Sequence, residues 1–305
     1  MHRLWRVVVL GVVLLFSGAC DLQRLAVDQT AEILYAGRTA LEGETDFDFA
    51  EAAIPASLKT IETFLVSAPD DRYLLELLAK GYFSYSFGFV EWSLERGQYT
   101  YAEEAALEKA NRRAVQFYLR SRSYGFRLLD RPALRDAALA GDAAKLEAEL
   151  KKLEKEDVPG LFWAAYGWAS AINLSQDDSD MVAALPLIET IMARIQTLDD
   201  DYFYAGVHYF LGIYFANRPK MFGGDPDKAK MHFETAMKRH GDKNLMIPYL
   251  YARYYAPAVQ DKELYQTLLQ KVLDTEVDDP ALRLNNTIAK ERAQFWLEHA
   301  DELIL

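Results

Sequence analysis

Histidines and clustered carboxylates are the residues of this chain that could bind a metal or move a proton. His208, His232, His240 and His299 are scattered, and His2 lies at the start of the sequence. The chain holds no HExxH, no cysteine pair, no phosphate-binding loop, no GxSxG and no EF-hand loop. His208 falls on an apolar helix face, where a core histidine is the expected reading over a ligand. Asp177-Asp178-Ser179-Asp180 and Asp199-Asp200-Asp201 offer the oxygen-rich chemistry that Ca²⁺ needs. Both runs precede predicted helices, so capping and dipole compensation account for them. Two carboxylates across a cleft could hydrolyse a glycoside, but nothing in the sequence singles out a pair. Met221-Phe222-Gly223-Gly224-Asp225 puts glycines before a helix N-terminus, where an anion could bind. Asp225 already occupies that position and would repel one. The stretch reads as a tight turn that presents Phe222 toward a cavity or a partner. These readings assign no catalytic residue, no metal and no cofactor.

The remaining reactive side chain is the single cysteine, Cys20. It follows Ser17-Gly18-Ala19, and ahead of these lie Arg3, Arg6 and an apolar run from Val7 to Phe16. That run is short of the ~20 residues that span a bilayer and suits a signal-peptide core. A small-residue run ending in cysteine is similar to a bacterial lipobox, whose thiol is diacylglycerated and becomes the new N-terminus. Ser17 stands where leucine is usual. Residues 1–19 are therefore expected to be a lipoprotein signal peptide, 20–305 a single mature domain, and 20–28 its tether. An uncleaved anchor and plain secretion are the alternatives. Two acyl chains give stable attachment where one does not. By resemblance to the enterobacterial sorting rule, Asp21 favours retention at the inner membrane, facing the periplasm. With no second thiol there is no disulfide, so the core alone must hold an exported fold.

Composition agrees with a large core. Of 305 residues 51% are hydrophobic, and tyrosine is abundant, at 18. The formal net charge of −12 becomes −14 without Arg3 and Arg6. That balance argues against nucleic acid and against attraction to anionic headgroups. The lipid, and not a basic patch, is expected to attach the protein to the membrane.

The spacing predicts an all-α fold in which helices pair as hairpins. Apolar residues from Leu25 to Leu41 and from Ala52 to Val66 recur at helical intervals. Ser67-Ala68-Pro69-Asp70-Asp71 ends the second helix, and Leu75, Leu78, Ala79 and Tyr82 begin the next, which continues through an aromatic run to Val90. Tyr101 to Leu129 is long and carries Arg112, Arg113, Arg120, Arg122 and Arg127, a solvated face or a contact for an acidic partner. Lys145 to Glu156 is a polar outer helix. Asp157-Val158-Pro159-Gly160 then opens a unit with Trp163, Tyr166 and Gly167, whose second helix carries Ala184, Ile188 and Ile191. Gly206 to Gly241 is a second unit, with Leu211, Gly212 and Phe215 answered by Ala229, Phe233 and Ala236. Asp225 suits an N-cap and Pro226 the first helical position. Gly167 to Ala184 spans 17 residues, Gly212 to Ala229 also spans 17, and the two units lie 45 residues apart. The spacing exceeds the ~12 usual for a tetratricopeptide unit, so both units should carry enlarged loops, the common seat of function in such arrays. Pro248, Tyr251, Ala252 and Tyr255 start another unit, and Leu282 to Leu305 is a capping helix. About four tetratricopeptide-like hairpins plus extra helices, in a compact superhelical array, is the expected architecture.

These residues together resemble the TatT family, the tetratricopeptide-like lipoprotein subunit found with some TRAP transporters. The matching stretches are YLRSRSYGFRLL from Tyr118, DVPGLFWAAYGWASAI from Asp157, FLGIY with RPKMFGGDPDKAKMHFETAM, and LNNTIAKERAQFWL in the last helix. The resemblance covers roughly residues 35 to 305. It implies a non-catalytic accessory subunit that binds the periplasmic solute-binding protein. It also implies a ring-like homotrimer with a pore and an adjoining cavity, through which a small apolar or organic-acid solute passes. First-helix aromatics face the concave side of such arrays, so Tyr82, Phe83, Trp163, Tyr166 and Tyr209, with Phe222 from the loop, are the candidate lining. A scaffold lipoprotein for envelope assembly is the alternative. It would hold peptide in a groove.

Overall fold

Helix after helix begins where an aspartate accepts the first free amides. Asp46, Asp71, Asp142, Asp225 and Asp261 each take the backbone N–H three residues on, at 2.9–3.1 Å. The structure, a computed structural model, describes residues 24–304. Cys20, Asp21 and the expected signal peptide lie outside them.

The first helix, α1, occupies 24–36, so the expected tether is already helical from residue 24. Arg24 pairs with Asp28 and Asp70 and fixes α1 on the corner after the next helix. Then follow α2 (Phe47–Ser67) and α3, which runs as Arg72–Tyr85, passes through a π-helical turn at Ser86–Glu91 and continues as Trp92–Tyr99. The long basic helix is α4 (Glu104–Leu129), and the short α5 (Pro132–Leu139) and α6 (Ala143–Leu150) lead to α7 (Val158–Asn173). The hairpin partner of α7 is α8 (Leu185–Asp199). The second unit is α9 (Tyr202–Ala216) with α10 (Pro226–His240). A further broken helix, α11, runs as Met246–Leu250, a π-helical turn at Tyr251–Tyr255, and Ala256–Ala258. It is followed by α12 (Lys262–Asp274) and α13 (Arg283–Glu298). No strand occurs among the described residues. The fold is all-α, as the periodicity predicts.

Three local features depart from the sequence reading. Asp178 caps a short helix at Ser179–Val182, and α8 starts later, at Leu185, with Pro186 in its first turn. Asp199, Asp200 and Asp201 do not cap α9. They pair with Lys155 at 3.0 Å, Arg239 at 2.8 Å and His240 at 2.8 Å. Phe203, Tyr204 and Ala205 form a left-handed turn inside α9, with φ of 51°, 58° and 61°. Such a turn costs about 1–2 kcal/mol per residue. The Trp163 indole N–H donates to Tyr202 at 3.1 Å and the Phe203 ring packs on Trp163, which holds it.

The buried apolar side chains form one core from Val27 to Ile304. Its centre is the crossing of α4 and α7. Because α13 returns to the short helix Thr39–Glu42 and to α2, the array closes on itself. Trp296 and Phe295 of α13 meet Trp92 of α3, and Arg292 donates to the Phe87 carbonyl. His208 is a core histidine, 5% exposed, with its Nδ1 3.0 Å from that of His232. Burial and the neighbouring His208 and Lys228 push His232 down to about 4, so it is neutral at pH 7.

Candidate functional site

The two π-helical turns converge on one place. A π turn adds a residue to a helical turn and re-aims the side chains that follow, a change often tied to function. In α3 the turn ends at Glu91, the one charged residue between Tyr82 and Trp92. In α11 it carries Arg253 and Tyr254. Glu91, Arg253 and Tyr254 border a pair of adjoining chambers of about 450 and 660 Å³.

The inner chamber is walled by Phe87 of α3, Tyr166 and Ile172 of α7, and Phe210, Ile213 and Tyr214 of α9. Val182 and Phe222 from the two interhelical connections, and Leu185 at the start of α8, complete it. The outer chamber is polar, with Glu95, Gln98, Arg253 and Gln260. Glu91, Asn173, Gln176, Asn217, Arg218, Pro219 and Tyr254 belong to both. The enlarged loops of the two repeat units thus supply much of the shared wall, on the face where the spacing placed them.

Charge inside the site is set by burial. Glu91 is 5% exposed and accepts the Tyr118 hydroxyl hydrogen bond. Burial, aided by Glu95, pushes its carboxyl up from near 4.5 to about 7, against the pull of Arg292, Tyr118 and Arg253. Burial raises Tyr166, Tyr214 and Tyr254 as well, so each phenol stays a neutral donor. Tyr214 donates to Glu189 at 2.8 Å. Burial holds Arg218 below its ordinary value. Burial also opposes the charge on Arg253, but Glu95 and the surrounding tyrosines outweigh it. The arrangement suits an amphipathic small molecule: an apolar bed with a few fixed polar groups at one end. No set of three or more His, Cys, Asp or Glu placed to share a metal occurs among the described residues.

Glu91 gives this site a measurable pH dependence. Its raised carboxyl favours the neutral form in the folded state, so stability present below pH 4.5 is lost as pH rises through 7. Glu91→Gln stays uncharged. The variant is expected to match the parent at pH 4 and to exceed it at pH 8 by about 3 kcal/mol in urea unfolding. Equal stability of the two proteins at pH 8 would remove Glu91 as the buried titrating group.

Of the six predicted lining aromatics, the structure brings Tyr166 and Phe222 to the cavity. Phe222 is 66% exposed on the loop between α9 and α10, after which Gly223 takes φ of 89°. Tyr82, Phe83, Trp163 and Tyr209 do not border it. Phe83 packs on Trp163 and Tyr166 with ring centroids 5.4 and 4.2 Å away, and Tyr209 continues that cluster inside the core. Tyr82 stacks on Tyr124, and both hydroxyls donate to Glu62. The basic face of α4 pairs locally: Arg112 with Glu108, Arg120 with Glu62, and Arg122 over the Trp168 ring. Sequence reading missed Glu91, Arg218 and Arg253. The signal available was a lone charge in each aromatic run, Glu91 in one and Arg253 in the other.

Residues 43–304 match the family model described as the TRAP transporter T-component. The chain belongs to this family. An uncharacterized protein of Treponema pallidum (strain Nichols) is 24% identical over 266 residues, covering 86% of this chain and 81% of the relative. Membership makes this T-component chain an accessory, membrane-associated subunit of a TRAP transporter, a family not known as catalytic.

Proposed function

We propose that this T-component binds the periplasmic solute-binding protein of its transporter and that a small apolar or organic-acid solute passes through the two-chambered cavity. The observation that carries the reading is the cavity's position. It is bordered by both enlarged loops, with apolar walls inside and polar walls outside. A peptide scaffold calls for a groove open along the array, whereas this array closes through α13. In the same reading Cys20 is diacylglycerated, the protein faces the periplasm from the inner membrane, and three copies form a ring.

The test is co-purification from the native envelope with antibodies to this subunit, with the TRAP solute-binding protein of the same gene cluster as the expected partner. Repeated recovery without that protein would reject the reading. Cys20→Ser should move the subunit to the soluble periplasmic fraction, and its retention on membranes would reject lipid anchoring. Light scattering of the purified subunit should give the mass of a trimer.

A further inference from the structure

We propose that the outer chamber is a carboxylate subsite, in which Arg218 and Arg253 hold the charged end of an organic acid whose apolar body fills the inner chamber. The proposal rests on the cavity being the solute's route, and it assigns the charge and the groups that read it. Arg218 and Arg253 come from different elements, the α9–α10 loop and α11, yet border the same chamber. Arg218 Nη2 and Arg253 Nε are shielded from solvent and have no hydrogen-bond partner. Neither guanidinium forms an ion pair among the described residues. Unmet buried donors are costly. These two atoms are closed to a ligand. The remaining N–H groups of the two heads, also without hydrogen bonds among the described residues, are the ones an anion in the chamber would meet.

The guanidinium planes are fixed in advance. The Arg218 head lies 3.2 Å from the Tyr214 ring centroid, and that of Arg253 lies 4.1 Å from the Trp296 centroid. Stacked in this way, arginine loses little further freedom when it grips a planar anion. The charges facing the pair select the kind of anion. Glu95 acts on Arg253, and Glu189 acts on Arg218 beside Tyr214. Glu91 stands in the wall common to both chambers. Arg292 adds a third cation facing Glu95 and Glu91, so with Glu91 protonated a single carboxylate brings the group to balance, whereas a phosphate dianion overshoots it. Burial of Glu91 adds a proton where a second acid would otherwise compete for the arginines.

Calorimetric titration of the full chain in nanodiscs, with empty nanodiscs as reference, separates the possibilities. The probes are 4-phenylbutanoate and 4-phenylbutan-1-ol, which share an aromatic body and differ at the head. The carboxylate is expected to bind more tightly at pH 6, where the probe is ionised and Glu91 keeps most of its proton. Arg218→Gln and Arg253→Gln should each weaken it about tenfold or more, with the alcohol held within about twofold as the sign that fold and inner chamber survive. Arg253→Lys keeps charge without the fork and should fall between. Equal binding of the two probes, or a carboxylate insensitive to both substitutions, overturns the subsite alone. Failure of both probes to bind overturns it together with the solute route, whereas failed co-purification with the solute-binding protein leaves the subsite measurable.

Discussion

Arg292→Leu is expected to lower stability by about 3–5 kcal/mol, the cost of removing one partner from a buried charged network. Arg292 is 1% exposed on α13 and donates to the Phe87 carbonyl inside the π turn of α3. Its guanidinium also lies 4.2 Å from the Phe87 ring centroid and 5.2 Å from that of Trp92. Burial opposes its charge, yet Tyr249, Glu95 and Glu91 together hold it above its ordinary value. Leucine would leave the Phe87 carbonyl without this donor and Glu91 without the buried cation that pulls on it most. The contact also closes the array, since it joins the last long helix to the first hairpin. Adding Glu91→Gln should return part of the loss at pH 8, because the carboxyl left unbalanced is then neutral. Urea unfolding of the two single variants and the double variant gives the coupling directly. A loss under about 1 kcal/mol for Arg292→Leu, or strict additivity with Glu91→Gln, would contradict this account.

What the sequence made legible follows from how the signals arise. Capping aspartates and apolar spacing are local, so α7, α10 and α12 could be read nearly to their ends, whereas α2 starts at Phe47, ahead of the expected Ala52. The 17-residue offset in two units placed enlarged loops on one face, and those loops border the cavity. The π turns were not legible, because an aromatic run such as Tyr82 to Trp92 is apolar all round and shows no slip in period. Nothing marked the left-handed turn either, since Phe203, Tyr204 and Ala205 include no glycine and the turn is held by Trp163 from another helix. The expected lining residues and the cavity part company where packing decides. First-helix aromatics such as Phe83, Trp163 and Tyr209 are buried against one another, Tyr118, Tyr166 and Phe203, so that interior is core. The cavity is displaced toward the loops. Glu91, Arg218 and Arg253 gain their roles only from partners distant in sequence.

The crossing of α4 and α7 is where substitution should cost most, and Gly125→Val is expected to destabilise by at least about 3 kcal/mol. A side chain at Gly125 would put its Cβ 2.5 Å from the Ala164 amide nitrogen and 2.8 Å from the Gly160 carbonyl oxygen. Both are backbone atoms of α7, so no rotamer change relieves the clash. Separating the helices would lengthen the 3.3 Å bond that Ser121 of α4 donates to the carbonyl of Trp163, a residue 0% exposed. Tyr118, which donates to Glu91, sits on the same face of α4, so the floor of the cavity would move with it. A control distinguishes crowding from the general effect of replacing glycine. Gly141 has φ of 73° and open space around its Cβ position, so Gly141→Ala should cost about 1 kcal/mol from backbone strain alone. Thermal unfolding of both variants decides the matter. Comparable midpoints for Gly125→Val and Gly141→Ala would mean that α4 and α7 do not cross backbone to backbone, and the geometry of the cavity above them would need to be redrawn.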